Sequence, residues 1–257
     1  MSLNKKNIII ANMKMNGSLS FNEEFLHNIK INFNKFKNLN IALCLPYPYL
    51  FQAQKFLHGT NINWGSQNVA KFENGPHTGE VSATMLKEFD TKYVIVGHSE
   101  RSTAYCESDE NIAAKFEKIK KYKMIPILCV GETLIEREAG IMESVVSSQI
   151  EAIIKIYGNE IFENSIIAYE PIWAIGSDMA ATPDQANKMC VFIKKLVCEN
   201  NKNEFKNFNI IYGGSVNPKN ALQLFASESL DGVLIGRASI NFDEFSQICS
   251  TAENSKF

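Results

Sequence analysis

The sequence predicts an α/β fold, a single (β/α)8 barrel running over residues 1–257 as one domain. Three observations carry this. Eight short apolar runs recur along the whole chain at a mean spacing of about 32 residues, enough for one strand, one helix and two loops. Amphipathic segments of helical period lie between them. Polar residues collect at the C-terminal ends of several different runs, as barrel sites do, and no G-x-G-x-x-G follows the first run to favour a doubly wound open sheet.

In chain order, the strand runs are Ile8–Ala11, Ile41–Leu45, Ile62–Gly65, Tyr93–Gly97, Met124–Val130, Ser165–Tyr169, Asn209–Tyr212 and Gly232–Gly236. Each is short, apolar or β-branched, and closed by a turn former or a polar residue. Among the helical segments, Asn22–Phe36 aligns Phe25, Ile29, Phe33 and Phe36 on one face. Asp109–Lys121 aligns Ile112, Phe116 and Ile119, and Gln185–Cys198 aligns Met189, Phe192, Ile193, Leu196 and Val197. Asp109 and Asp184 are expected to cap their helices. These stripes are core packing. The tail 250–257 is expected to fray.

Composition excludes several functions. A net charge of −2 leaves no basic footprint for nucleic acid. Three isoleucines after Met1-Ser2-Leu3-Asn4-Lys5-Lys6 are too few for a signal peptide or a membrane span. Six cysteines, none in a C-x-x-C pair, read as reduced thiols of a cytoplasmic protein. Four scattered histidines offer no metal-ligand spacing.

The chemistry gathers at strand ends. Around the sixth run, Tyr169-Glu170-Pro171-Ile172-Trp173-Ala174-Ile175-Gly176 places a carboxylate where the strand stops, because Pro171 ends the ladder. An apolar loop follows, which makes sense as a lid that excludes water from Glu170. In the first strand, alternation puts Ile8, Ile10, Asn12 and Lys14 on one side. If the isoleucines fill the barrel, Asn12 and Lys14 enter its mouth; a lysine on a surface turn is the bland alternative. His98 ends the fourth run, and the N–H groups of a following helical turn would disfavour its charged form. Tyr212-Gly213-Gly214-Ser215-Val216 and Leu234-Ile235-Gly236-Arg237-Ala238-Ser239 end the seventh and eighth runs, where barrels bind phosphate.

Together these motifs resemble the triosephosphate isomerases, over essentially the whole chain. The resemblance implies a TIM barrel that interconverts dihydroxyacetone phosphate and D-glyceraldehyde 3-phosphate in glycolysis and gluconeogenesis. It implies Glu170 as base and a neutral His98 as electrophile and proton shuttle, a known feature of this family. Lys14 would supply charge and Asn12 would orient the substrate. Backbone N–H groups near Gly176, Ser215, Gly236 and Arg237 would hold the phosphate. No metal or organic cofactor is expected, since fixed dipoles meet the charge of the intermediate. Cys129 matches a buried cysteine beside the active site and is expected to pack. Glu132 is expected to accept the Trp173 indole N–H at the lid hinge. Glu100 matches a buried glutamate beside the lysine; a purely structural ion pair is an equal reading. The long loop Ser66–Glu80 implies a homodimer, with Thr78 reaching the partner's site, while His77 is a surface residue. The chain departs from the family at Met13, Ser102, Asp178 and Arg237. The last two leave room for an isomerase of another phosphorylated sugar, such as a four-carbon ketose phosphate. Comparing kcat/KM on three- and four-carbon substrates separates these readings. A silent binding homologue is disfavoured by the intact Asn12, Lys14, His98 and Glu170 set.

Overall fold

A computed structural model describes residues 7–176, 181–198 and 208–255. Eight parallel strands close in sequence order into a barrel: β1 (Asn7–Asn12), β2 (Leu39–Leu45), β3 (Asn63–Ser66), β4 (Tyr93–Val96), β5 (Ile125–Val130), β6 (Ser165–Tyr169), β7 (Phe208–Tyr212) and β8 (Gly232–Ile235). Closure is made by β1 against β8, with Ile8 opposite Gly232 and Ala11 opposite Ile235. The predicted runs and the strands differ by at most two residues at an end.

Alternation along each strand divides the core in two. Ile8, Ile10, Ala42, Cys44, Tyr93, Ile95, Ile127, Ile166 and Leu234 fill the barrel interior. Ile9, Ala11, Met13, Leu43, Val94, Leu128 and Ile167 face the helices instead, and pack with Phe33, Phe116, Ile150 and Ile193. Met13 is therefore in the outer layer, 1% exposed, and the inward side of β1 continues from Ile10 to Asn12.

Helix ends are where the sequence reading errs, and the caps explain it. The first helix is Leu19–Phe33, not Asn22–Phe36, because Ser18 Oγ accepts the Phe21 N–H at 3.1 Å. Asp109 is not a cap: Ser108 Oγ takes the Asn111 N–H, and Asp109 lies in the first turn of Asp109–Lys121. Asp184 is not a cap either. Its helix starts at Pro183, behind a reciprocal pair in which Thr182 Oγ1 accepts from Gln185 N–H (3.2 Å) and Gln185 Oε1 accepts from Thr182 N–H (2.9 Å). The expected fraying of 250–257 is overturned for the described residues. The helix Phe242–Asn254 continues through it, with Cys249 and Ala252 buried. Asn7 Nδ2 donates to Ala252 O at 2.7 Å, and Glu253 accepts the Lys37 and Asn38 N–H groups, so contacts far along the chain tie the tail down.

None of the helices among the described residues is long and apolar enough to cross a membrane.

Candidate active site

The C-terminal ends of the strands open into one cleft of about 980 Å³. Asn12, Lys14, His98 and Glu170 all line it, as do Gly176, Ser215, Gly236 and Arg237. Residues from five strand ends and the segment after β6 thus meet at one mouth.

Asn12 ends β1, 5% exposed. Its Oδ1 accepts the Lys14 N–H at 3.1 Å, and Ser239 Oγ donates to its carbonyl at 3.2 Å. Lys14 has φ 52, a left-handed conformation that costs a non-glycine residue about 1 kcal/mol. The surrounding hydrogen bonds hold that turn, which directs the side chain past Gly236 to an ion pair with Glu100. Glu100 is beside the lysine, but the expected burial is not found within this chain. Its side chain is 53% exposed, and the helix Ser99–Tyr105 that carries it buries none of its residues.

His98 is 5% exposed and is the N-cap of that helix. Its Nδ1 accepts the Glu100 N–H at 3.2 Å. An accepting Nδ1 carries no proton, so the neutral ring holds its hydrogen on Nε2, a tautomer assigned from this network. Nε2 lies 3.6 Å from Glu170 Oε1.

Glu170 follows β6 directly and is 3% exposed. Its N–H donates to Val130 O at 2.8 Å, so the main chain still follows the sheet while Pro171 ends it. The carboxylate lies against Gly213, where a Cβ would come within 2.4 Å of Glu170 Cγ; only glycine leaves that space. Oε2 accepts no hydrogen bond, a costly state for a buried carboxylate. Burial, and then the adjacent Glu170 carboxylate, push the Cys129 thiol well up, so Cys129 stays an S–H group in the packing.

Glu132, just past the end of β5, is fully buried. It accepts the Trp173 indole N–H at 3.0 Å, the Tyr169 hydroxyl at 3.1 Å and Arg137 Nη1 at 3.0 Å. The Arg137 guanidinium also lies 5.1 Å from the centre of the Trp173 ring. Tyr212 Oη accepts the Ala181 N–H at 3.1 Å. Arg137, Tyr169, Tyr212 and the special need for Gly213 were not found from sequence. The signal available was thin: polar tips on otherwise apolar strands at 169 and 212, and an arginine one helical turn past Glu132.

The loop after β7 is braced internally. Asn220 Nδ2 donates to Ser215 O at 2.7 Å, and Asn220 Oδ1 accepts the Asn217 N–H at 2.9 Å. Arg237 starts the short 3-10 turn Arg237–Ile240 and is exposed. In the Ser66–Glu80 loop, Gln67 Nε2 donates to Cys44 O (2.8 Å) and Asn68 Oδ1 accepts from Lys115 (2.8 Å). His77 stacks on Phe72, with ring centres 3.9 Å apart. Thr78 is exposed and does not line the cleft of its own chain. Ser102 lines a small cavity behind the site. Asp178 lies outside the described residues. Among the described residues no group of three or more His, Cys, Asp or Glu could hold a metal ion.

Comparison with known proteins agrees with this geometry. The family model described as triosephosphate isomerase matches residues 7–252. The triosephosphate isomerase of Nitrosomonas eutropha is 44% identical over 252 residues, covering 98% of this chain and 100% of that protein. That of Nitrosomonas europaea is 42% identical over 252 residues with the same coverage. That of Haemophilus ducreyi is 41% identical over 253 residues, 98% of this chain and 99% of its own. With eight parallel strands closed in order, and with relatives matched end to end, the chain belongs to the triosephosphate isomerase family.

Proposed function

We propose that this chain is a single-domain, homodimeric, cytoplasmic enzyme that interconverts dihydroxyacetone phosphate and D-glyceraldehyde 3-phosphate, serving glycolysis and gluconeogenesis. Glu170 takes a proton from the carbon next to the carbonyl. His98 Nε2–H donates to the carbonyl oxygen, and its neutral ring passes a proton between the two oxygens of the enediolate. Glu170 then returns its proton to the neighbouring carbon. Lys14 offsets the developing negative charge, and Asn12 orients the substrate oxygen. Backbone N–H groups of the Gly176, Ser215, Gly236 and Arg237 segments hold the phosphate. The apolar stretch 172–176 that follows Glu170, held by the Glu132–Trp173 contact, keeps water from the intermediate.

One observation carries the reading: a buried glutamate with a hydrogen-bond-free oxygen, 3.6 Å from a histidine whose other nitrogen is already occupied. A coupled assay with D-glyceraldehyde 3-phosphate tests it. Turnover of that substrate is the expected result, and absence of turnover refutes the reading.

Assembly as a dimer is supported by what the protomer leaves uncovered. Glu100 is half exposed beside Lys14, and Met15 (94%) and Tyr105 (69%) are exposed after β1 and β4. Large apolar side chains this exposed are what a partner subunit could cover. Sedimentation should give a dimer, and deleting the tip of the Ser66–Glu80 loop should give a poorly active monomer. Full activity in a demonstrated monomer would show that each site is complete within one chain.

The exposed Arg237 side chain leaves its N–H to serve the phosphate, so its guanidinium is expected to contribute little. Arg237→Gly should change kcat/KM by less than about tenfold, or roughly 1.4 kcal/mol. A hundredfold loss, or a KM that rises steeply with salt in the parent protein, would mean that the side chain grips the phosphate.

A further inference from the structure

We infer that Gln149 is a positioning residue for proton transfer: from the helix Met142–Tyr157 it fixes the turn at the end of β5 against which Glu170 is seated. This rests on the assignment of Glu170 as the base. Gln149 Oε1 accepts the Gly131 N–H at 2.9 Å, and its Nε2 donates to the Gly131 carbonyl at 3.0 Å. Both arms of the amide are thus spent on the backbone of one buried residue, which lies just past the last residue of β5.

Gly131 in turn touches the base. A Cβ there would lie 1.9 Å from the Glu170 carbonyl oxygen and 3.3 Å from the Pro171 nitrogen, so the two backbones meet with no side chain between them. The residues on either side of Gly131 bond to the same segment. Val130 O accepts the Glu170 N–H at 2.8 Å, and Glu132 O accepts the Ile172 N–H at 2.9 Å. The stretch 130–132 is therefore the template on which 170–172 is laid. Its middle member is a glycine, the residue with the most backbone freedom. Gln149 supplies the two bonds that the barrel ladder no longer gives at this point, and so removes that freedom. Small displacements of a reacting group cost large factors in rate, so slack at Gly131 should appear in the chemical step. The phosphate-facing loops after β7 and β8 have their own bracing, Asn220 on Ser215 and the Ser239 N–H on Gly236 O, so ground-state binding should be spared.

Gln149→Leu keeps the approximate shape and removes both bonds; Gln149→Glu keeps an acceptor for the N–H but has no donor for the carbonyl. Expected for Gln149→Leu is a kcat about tenfold or more below wild type, with KM and the inhibition constant of inorganic phosphate within about twofold. Gln149→Glu should fall between the two. In a Glu170→Asp background, where the base is already displaced, the loss from Gln149→Leu should shrink. A folded Gln149→Leu variant with kcat within about twofold of wild type overturns the inference. So does a parallel weakening of phosphate binding, or an undiminished loss in the Glu170→Asp background. If Gln149→Leu does not fold, Gln149→Glu decides by the same comparison of kcat with phosphate inhibition. Glu170→Gln assayed alongside separates the two claims. If it is fully active the base assignment falls, whereas an impaired Glu170→Gln with an unaltered Gln149→Leu sinks only the role of Gln149.

Discussion

Glu170→Gln is expected to lower kcat by about 10²–10⁴ with little change in KM, the scale of losing a positioned general base. The amide has nearly the shape of the carboxylate, so the contact with Gly213 survives, and with it the packing at the end of β6. What disappears is the ability to take a proton. Stability should move the other way. Glu170 is 3% exposed, and its Oε2 accepts no hydrogen bond, so the wild-type chain carries the desolvation cost of a buried charge. A neutral amide lowers that cost, and Tm should stay level or rise. Such a split, with activity lost and stability kept, is expected where a site is strained for function. Steady-state kinetics and a thermal melt on the same preparation check both halves. A variant within threefold of wild-type kcat would sink the assignment of the base. A large fall in Tm would mean that the carboxylate holds the lid root together instead.

Much of this could be read before any coordinates, and the reasons are local. Buried parallel strands must be apolar and short, and each needs a crossover helix, so the spacing of runs such as Ile8–Ala11 and Ile166–Ala168 reports the barrel directly. The candidate site residues could be placed because they sit at strand ends, where period-2 alternation fixes direction; Asn12 follows Ile8 and Ile10 inward, and Met13 goes outward. Helix starts were less accessible. Ser108 and Thr182 won over Asp109 and Asp184, and Ser18 moved the first helix ahead of Asn22, because their hydroxyls reach the backbone N–H groups three residues on.

Contacts distant in sequence were out of reach. Nothing near Ala252 announces that Asn7 will hold it, 245 positions away, and so the tail looked free. Glu132 could be paired with Trp173 through the resemblance, yet its bond to Tyr169 spans 37 residues and depends on β5 lying beside β6. Gly213 read as a phosphate-loop glycine. That it also makes room for the Glu170 side chain follows only from β6 and β7 being neighbours, with Tyr169 opposite Tyr212. The exposure of Glu100 has a different origin, because burial depends on what covers a residue and not on its neighbours in sequence.

His98→Gln should lower kcat by about 10²–10³, the usual loss for one preorganised donor aimed at a developing oxyanion. The geometry says why a histidine is needed here and not just any N–H donor. The Glu100 N–H occupies Nδ1, which fixes the ring plane and forces the remaining hydrogen onto Nε2, on the side facing Glu170 at 3.6 Å. That contact ties the ring to the start of the helix Ser99–Tyr105 and leaves Nε2 as the nitrogen that can donate into the cleft. A neutral donor can lend its hydrogen to a carbonyl oxygen and take another back, which is what moving a proton between two adjacent oxygens requires. Glutamine offers a donor of similar reach but cannot give up its amide proton and recover it at the second nitrogen. Polarisation would therefore be partly retained while the shuttle is lost. Phosphate inhibition should be nearly unchanged, since Asn220 on Ser215 and the Ser239 N–H on Gly236 O brace the loops after β7 and β8 without His98. The sharpest readout is isotope exchange. With the shuttle gone but Glu170 intact, the substrate proton should still be removed and exchanged with solvent deuterium faster than product forms. Exchange and turnover falling together by the same factor would place His98 at the proton abstraction itself, and a kcat within threefold of wild type would remove it from the mechanism altogether.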